Sequence, residues 1–90
     1  MDTKKLHSLF ASSAGVSIDT RTISKDEIYF SLKGDNFDGN KFALEAIKKG
    51  AKFSVVDDIK LKNANDKIIY VEDTLKSLQE LSNYHRSLFD

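Results

Sequence analysis

Ninety residues with 14 Lys plus Arg and 14 Asp plus Glu give a formal net charge of zero, so no basic field is present to hold nucleic acid or an anionic membrane surface. A chain this short buries only about 60 to 65% of the surface its unfolded form exposes, which leaves room for one domain over residues 1–90 and one binding site, not for a complete multi-substrate enzyme. Cysteine is absent, which excludes a disulfide framework, a thiolate metal site and a Cys nucleophile.

The chain opens with MDTKKLHSLFASS, in which Leu6, Leu9 and Phe10 recur at helical spacing behind Asp2 or Thr3 as a cap, and Gly15 ends the run. This predicts a short amphipathic helix over about residues 3–12. His7, Ser8, Ser12 and Ser13 interrupt the apolar positions, so the stretch lacks the continuous core of a signal peptide. No run approaches the length of a membrane span either, and a cytoplasmic location is expected. GVSID is a strand candidate, followed by the polar turn TRTISKDE. In IYFSL, Ile28, Phe30 and Leu32 alternate with Tyr29 and Ser31, the period of a half-buried strand.

Residues 31–42, SLKGDNFDGNKF, gather Gly34, Asp35, Asn36, Asp38, Gly39 and Asn40 around Phe37. Glycines free to take positive φ and Asx side chains that bond nearby main chain make this a turn. Phe37 and Lys33 exceed what a turn needs: the ring must enter the core or meet a flat partner, and the lysine sets a cation beside backbone that a ligand can approach. Phe42, Ala43, Ala46 and Ile47 then carry a helical pattern, with Lys48 and Lys49 in its last turn and Gly50 beyond. KFSVVD and KIIYVED are two further strands, separated by the lysine-rich DIKLKNAND. Asp73 or Thr74 caps a final helix with Leu75, Leu78, Leu81 and Leu88 as its expected buried stripe. The order predicts an α/β fold, a small mixed β-sheet flanked by helices.

Evidence for catalysis is absent from the residues. Neither GxxxxGK[ST] nor GxGxxG occurs, no carboxylate pair stands out, and no serine sits in a nucleophile elbow. His7 and His85 carry no sign that they meet and are expected as separate surface or edge histidines, so no catalytic or metal-binding residue is assigned. The tetrapeptide IDTR is the second candidate site. Asp19, Thr20 and Arg21 place a carboxylate, a hydroxyl and a guanidinium fork at a strand end, a set that suits phosphate or ribose. The same residues also suit an Asx turn closed by Asp19 with Arg21 in solvent.

Residues 16–58, VSIDTRTISKDEIYFSLKGDNFDGNKFALEAIKKGAKFSVVDD, resemble the N-terminal domain of the Mur ligases, which add amino acids to the UDP-linked peptidoglycan precursor. The pattern is a D-S-R triplet, a Phe- and Leu-rich strand, K-G-x-x-x-D-G-x-x-F, a helix, and G-A before a strand. The F-D-G wording and VEDTLKSLQELSNYHR, residues 71–86, are most similar to the family member that joins D-alanyl-D-alanine to UDP-N-acetylmuramoyl-tripeptide. The sister ligase adding the third amino acid has a similar first domain, and a non-catalytic regulatory domain of the same fold is the rival from another class.

The resemblance implies a three-domain ATP-dependent ligase of which this chain is the first domain, with ATP and magnesium held by a central domain absent here. It implies a UDP-N-acetylmuramoyl-peptide substrate, the protein's own central and C-terminal domains as partners, and a monomer. By the same resemblance Asp19, Thr20 and Arg21 lie near the uridine diphosphate, with Thr20 at the position of the triplet's serine. Lys33, Gly34, Phe37, Asp38 and Gly39 match the nucleotide loop, and Asn40 replaces a frequent histidine while remaining able to cap the following helix. The two loops are then expected to form one site, the turn offering main-chain N–H groups near the helix start.

Overall fold

Alternation of buried side chains places the main sheet between two helical layers. The computed structural model describes residues 2–89. Strands β1 (Val16–Ser17), β2 (Ile28–Phe30), β5 (Phe53–Val56) and β6 (Ile68–Tyr70) form a four-stranded sheet in that spatial order. All three of its pairings are parallel. A separate antiparallel ribbon joins β3 (Lys33–Gly34) to β4 (Phe37–Asp38), so the parallel and antiparallel components belong to two sheets.

Helices α1 (Thr3–Ala11) and α3 (Thr74–Ser87) cover one face of the main sheet, and α2 (Ala43–Lys48) covers the other. Ile28, Phe30, Val55, Ile69 and Val71 point to the first face, where Leu6 and Leu81 meet them. Tyr29 and Val56 point to the second, against Ala43, Ala46 and Ala51. The small side chains of α2 let the helix lie close, and the Ser54 hydroxyl donates to the Ala43 carbonyl at 2.7 Å. β2 is buried on both faces, as a central parallel strand requires. Full burial of Ile28, Tyr29, Phe30, Val55 and Val56 contributes about 1.5–3 kcal/mol for each large apolar side chain.

The helix signals have identifiable partners. Asp2 caps α1 by accepting the Lys5 N–H, and Asp73 caps α3 by accepting that of Lys76. α1 ends before Gly15, because the Ser12 and Ser13 hydroxyls bond the Leu9 and Phe10 carbonyls. Gly50, at φ +110°, ends α2, and the next N–H, of Ala51, returns to the Ala46 carbonyl; a left-handed residue after a C-cap is where glycine is favoured. In α3, Leu81 is buried, but Leu75 and Leu88 are more than half exposed, which corrects the expected four-leucine stripe.

Helices α1 and α3 meet along their polar edges as well as in the core. His7 Nε2 and His85 Nδ1 lie 3.0 Å apart, with Phe10, Tyr84 and Phe89 rings around them. The two histidines expected as separate therefore form a hydrogen-bonded pair. No helix among the described residues is long and apolar enough to cross a membrane.

Candidate functional site

Carboxyl ends of parallel strands open onto loops, and a ligand crevice belongs there. β1 runs into Ile18–Arg21 and β2 into the ribbon, so both candidate loops emerge at the same end of the sheet. The connection from β1 to β2 contains no helix, unlike the usual parallel crossover, and this leaves its first residues uncovered. A cleft of about 510 Å³ lies between the loops, lined by Ile18, Asp19, Thr20, Arg21, Tyr29, Phe37 and Phe42.

The first wall is an Asx turn. Asp19 Oδ1 accepts the Arg21 N–H at 2.8 Å, and Ser17 Oγ donates to the Asp19 carbonyl at 3.0 Å. Arg21 folds back on Asp19, with Nη2 2.7 Å from Oδ2 and Nε 3.1 Å from Oδ1. The Arg21 side-chain and main-chain hydrogen bonds hold the Asp19 carboxyl down at about 2, while the carboxylate raises the Arg21 guanidinium further. The arginine side chain is 85% exposed, and its Nη1 edge still carries donors for an anion. Thr20 is buried, and its hydroxyl makes no hydrogen bond among the described residues. Its carbonyl accepts from Lys49 Nζ at 3.1 Å, so a lysine from the end of α2 fixes the turn and adds a positive charge behind it.

Aromatic rings form the second wall. Phe37 is 49% exposed and stacks on Phe42 at 5.8 Å between centroids and 15° between planes. Its flat partner is therefore another protein ring, with half of the Phe37 surface left open. Tyr29 forms the floor; burial, with Asp19, Asp38 and Glu45 nearby, pushes its phenol up to about 12. Its hydroxyl donates to the Gly39 carbonyl at 3.0 Å.

The ribbon does not present all its candidate residues to this cleft. Lys33 pairs with Asp38 and Gly34 with Phe37, and adjacent strand positions face opposite ways. Phe37 faces the cleft; Lys33 and Asp38 face Asp57 at the end of β5. Lys33 Nζ lies 3.4 Å from Asp57 Oδ1, and the carboxylate raises the lysine's pKa. Asn40 is buried, donating to Asp38 and Asp57 through Nδ2 and accepting the Asp57 and Asp58 N–H groups through Oδ1. Its amide is thus occupied within the protein.

Three expectations about the turn are corrected. Neither Gly34 nor Gly39 has positive φ; among the described glycines only Gly15 and Gly50 do. The Gly39 N–H bonds the Leu32 carbonyl and the Asn40 N–H bonds Asp38, so these two groups form no free cradle. Asp38, not Asn40, caps the short 3₁₀ turn Gly39–Phe42 that precedes α2. Gly39 is required by contact, because a Cβ there would lie 2.7 Å from the Leu32 oxygen. At Gly34 nothing lies within 4 Å of an added Cβ.

Ile18, Tyr29, Phe42, Lys49 and Asp57 belong to the site or its support but were not singled out by pattern. Tyr29, Phe42 and Lys49 were legible only as members of a strand or helix pattern.

A family model described as Mur ligase family, catalytic domain, matches residues 13–86. The chain belongs to the Mur ligase family. UDP-N-acetylmuramoyl-L-alanyl-D-glutamate--2,6-diaminopimelate ligase of Rickettsia prowazekii (strain Madrid E) is 44% identical over 66 residues, covering 73% of this chain and 14% of its own length. UDP-N-acetylmuramoyl-tripeptide--D-alanyl-D-alanine ligase of Bacillus subtilis (strain 168) is 37% identical over 70 residues, 76% of this chain and 15% of its own. The chain thus spans about a seventh of the length of these relatives. The crystal structure of MurF ligase from Thermotoga maritima in complex with ADP shares the fold at a TM-score of 0.71 and 22% identity, over 80% of this chain and 16% of that one. MurF from Acinetobacter baumannii does so at 0.70 and 19%, over 96% and 21%.

Proposed function

We propose that this Mur ligase domain holds the uridine diphosphate end of a UDP-N-acetylmuramoyl peptide, in the cleft between the Asp19–Arg21 turn and the Phe37–Phe42 stack. The observation that carries the reading is the convergence of a guanidinium, an unpaired hydroxyl and an exposed aromatic face on one cleft at the carboxyl ends of β1 and β2. A planar base suits the ring pair, and a diphosphate suits the free edge of Arg21 and the Thr20 hydroxyl. Gly34 supports the reading from the ribbon, since its own conformation and surroundings do not require glycine.

In the whole ligase, ATP would activate the peptide carboxylate as an acyl phosphate, and an incoming amine would attack it. The residues of this chain do not fit ATP and magnesium: the sequence has no phosphate loop, and no cluster of three or more His, Asp or Glu suited to a metal occurs among the described residues. No step of that reaction is assigned to them. We place the whole protein as the D-alanyl-D-alanine-adding ligase, the reading supported by the Bacillus subtilis relative. The 44% identity to the Rickettsia protein favours the diaminopimelate-adding ligase as the second reading.

Titration of the isotopically labelled chain with UDP tests the site. The amides of Thr20, Arg21 and Gly34 are expected to shift first, and Arg21→Ala to weaken the response with the fold intact. Binding should be weak, because a domain holding one end of a substrate has only part of the binding energy available. Saturating UDP-N-acetylmuramoyl-tripeptide that shifts neither loop would sink the assignment. The choice between ligases is tested in the full-length protein by which amine, diaminopimelate or D-alanyl-D-alanine, supports ATP-dependent bond formation.

A further inference from the structure

The face of the ribbon turned away from the cleft carries a connected polar network whose centre is Asp57. Asp57 Oδ1 accepts from Asn40 Nδ2 at 2.9 Å and pairs with Lys33, while Oδ2 accepts the Thr74 N–H at 3.2 Å. One carboxylate thus ties the ribbon strand β3, the turn after β4 and the first residue of α3 to the end of β5. The Asp57 side chain is only 13% exposed, whereas that of Lys33 is 53% exposed. Asn40 completes the clamp by accepting the Asp57 and Asp58 N–H groups at 3.1 and 3.3 Å. Backbone, amide and carboxylate hold one another, and a two-residue ribbon is too short to fix its own tilt.

We propose that Asp57 is a positioning residue for the cleft, fixing through Lys33 and Asn40 the ribbon whose opposite face presents Phe37. The lysine beside Gly34 then serves the ligand indirectly and does not touch its diphosphate. The nucleotide part of this inference rests on the proposed uridine diphosphate site; the placing of the Phe37 ring does not. Burial pushes the Asp57 carboxyl up, but the Asn40 amide, the Thr74 N–H and Lys33 together hold it below its ordinary value, so it is charged at neutral pH and available to all three partners.

The test uses Lys33→Met, Lys33→Arg and Asp57→Asn in the labelled chain, with uridine and UDP as probes. Lys33→Met removes the charge from an exposed position and leaves the packed core alone, so it keeps the test open if Asp57→Asn fails to fold. In the ligand-free chain, cross-relaxation between the Phe37 and Phe42 rings should weaken in Lys33→Met and Asp57→Asn, and be retained in Lys33→Arg. Lys33→Met should lower affinity for uridine and UDP by the same factor, about two- to fivefold, the range that one partly exposed ion pair supports. A loss confined to UDP would place Lys33 on the diphosphate and overturn the proposal, as would unchanged ring contacts in Lys33→Met. If the unmodified chain binds neither probe, the uridine reading fails, and the ring measurement alone decides the role of Asp57.

Discussion

Replacing Gly39 with alanine sets a methyl group against the main chain of Ser31 and Leu32. The new Cβ would lie 2.7 Å from the Leu32 oxygen, 2.8 Å from the Leu32 nitrogen and 3.0 Å from the Ser31 Cα. None of these atoms belongs to a side chain that can swing aside, so the backbone itself must move. Overpacking of this kind costs about 1–3 kcal/mol. The movement also strains the Gly39 N–H bond to the Leu32 carbonyl at 2.7 Å and the Tyr29 hydroxyl bond to the Gly39 carbonyl at 3.0 Å, each worth about 0.5–1.5 kcal/mol. Overpacking plus the loss of one of these bonds gives a destabilisation of about 1.5–4.5 kcal/mol, a large part of the 5–15 kcal/mol typical of a folded domain. Urea unfolding followed by far-ultraviolet circular dichroism should show the midpoint falling by more than about 1 M. Gly34→Ala is the internal control: it meets nothing within 4 Å and lies outside positive φ, so its midpoint should move by less than about 0.5 kcal/mol equivalent. A Gly39→Ala protein as stable as the parent, or a Gly34→Ala protein that loses more, would refute the assignment of close approach to one glycine and open space to the other.

Phe37→Ala should cost less than about 1.5 kcal/mol, well short of the 3–5 kcal/mol of a core phenylalanine, because half of the ring is already exposed; its UDP response should nevertheless fall, and a large stability loss in the urea midpoint would return the ring to the core. Ser54→Ala, which removes the 2.7 Å bond to Ala43, should destabilise by about 0.5–1.5 kcal/mol, measured the same way, with an unchanged midpoint contradicting it. Asp57, Asp38 and Asp19 have depressed pKa values in the folded state, so the unfolded chain takes up their protons first on acidification. The stability they contribute is complete above the ordinary carboxylate range of about 4 and is lost as pH falls through the folded values. Urea midpoints between neutral pH and pH 3 should therefore fall less steeply in Asp57→Asn than in the parent, and parallel curves would count against the carboxylate's role.

Much of the fold could be read from local signals, because caps, stops and strand periods are properties of neighbouring residues. Asp2, Asp73 and Gly50 work as their positions suggest, and the strand runs IYF, FSVV and IIY fall within the predicted segments. The leucine stripe failed for a geometric reason. At about 100° per residue, six residues carry Leu75 some 120° around the helix from Leu81, so both cannot face one core. Leu88 returns to the side of Leu81 but lies beyond the last residue of α3.

For the site, pattern located both loops, and the structure brings Asp19, Thr20, Arg21 and Phe37 together at one cleft. It could not separate the two faces of the ribbon, because Lys33 and Phe37 lie in a stretch whose composition spells a turn, and its strand pairing is only two residues long. Asp57 was invisible as a partner for Lys33 and Asn40 because the contact spans residues far apart in the chain. The His7–His85 pair was hidden for the same reason: a contact between residues 78 positions apart leaves no local period.

The main sheet has the same order in space as in the chain, β1-β2-β5-β6. Because synthesis runs from the N-terminus, each strand after the first leaves the ribosome with its neighbour in the sheet already made. No strand must be threaded between two others that have already paired. The sheet can grow from one side only, and α3 arrives after the last strand as the element that seals it. Through the Thr74 N–H bond to Asp57, the docking of α3 also reaches the ribbon, so the two candidate loops emerge early while the final setting of one of them waits for α3.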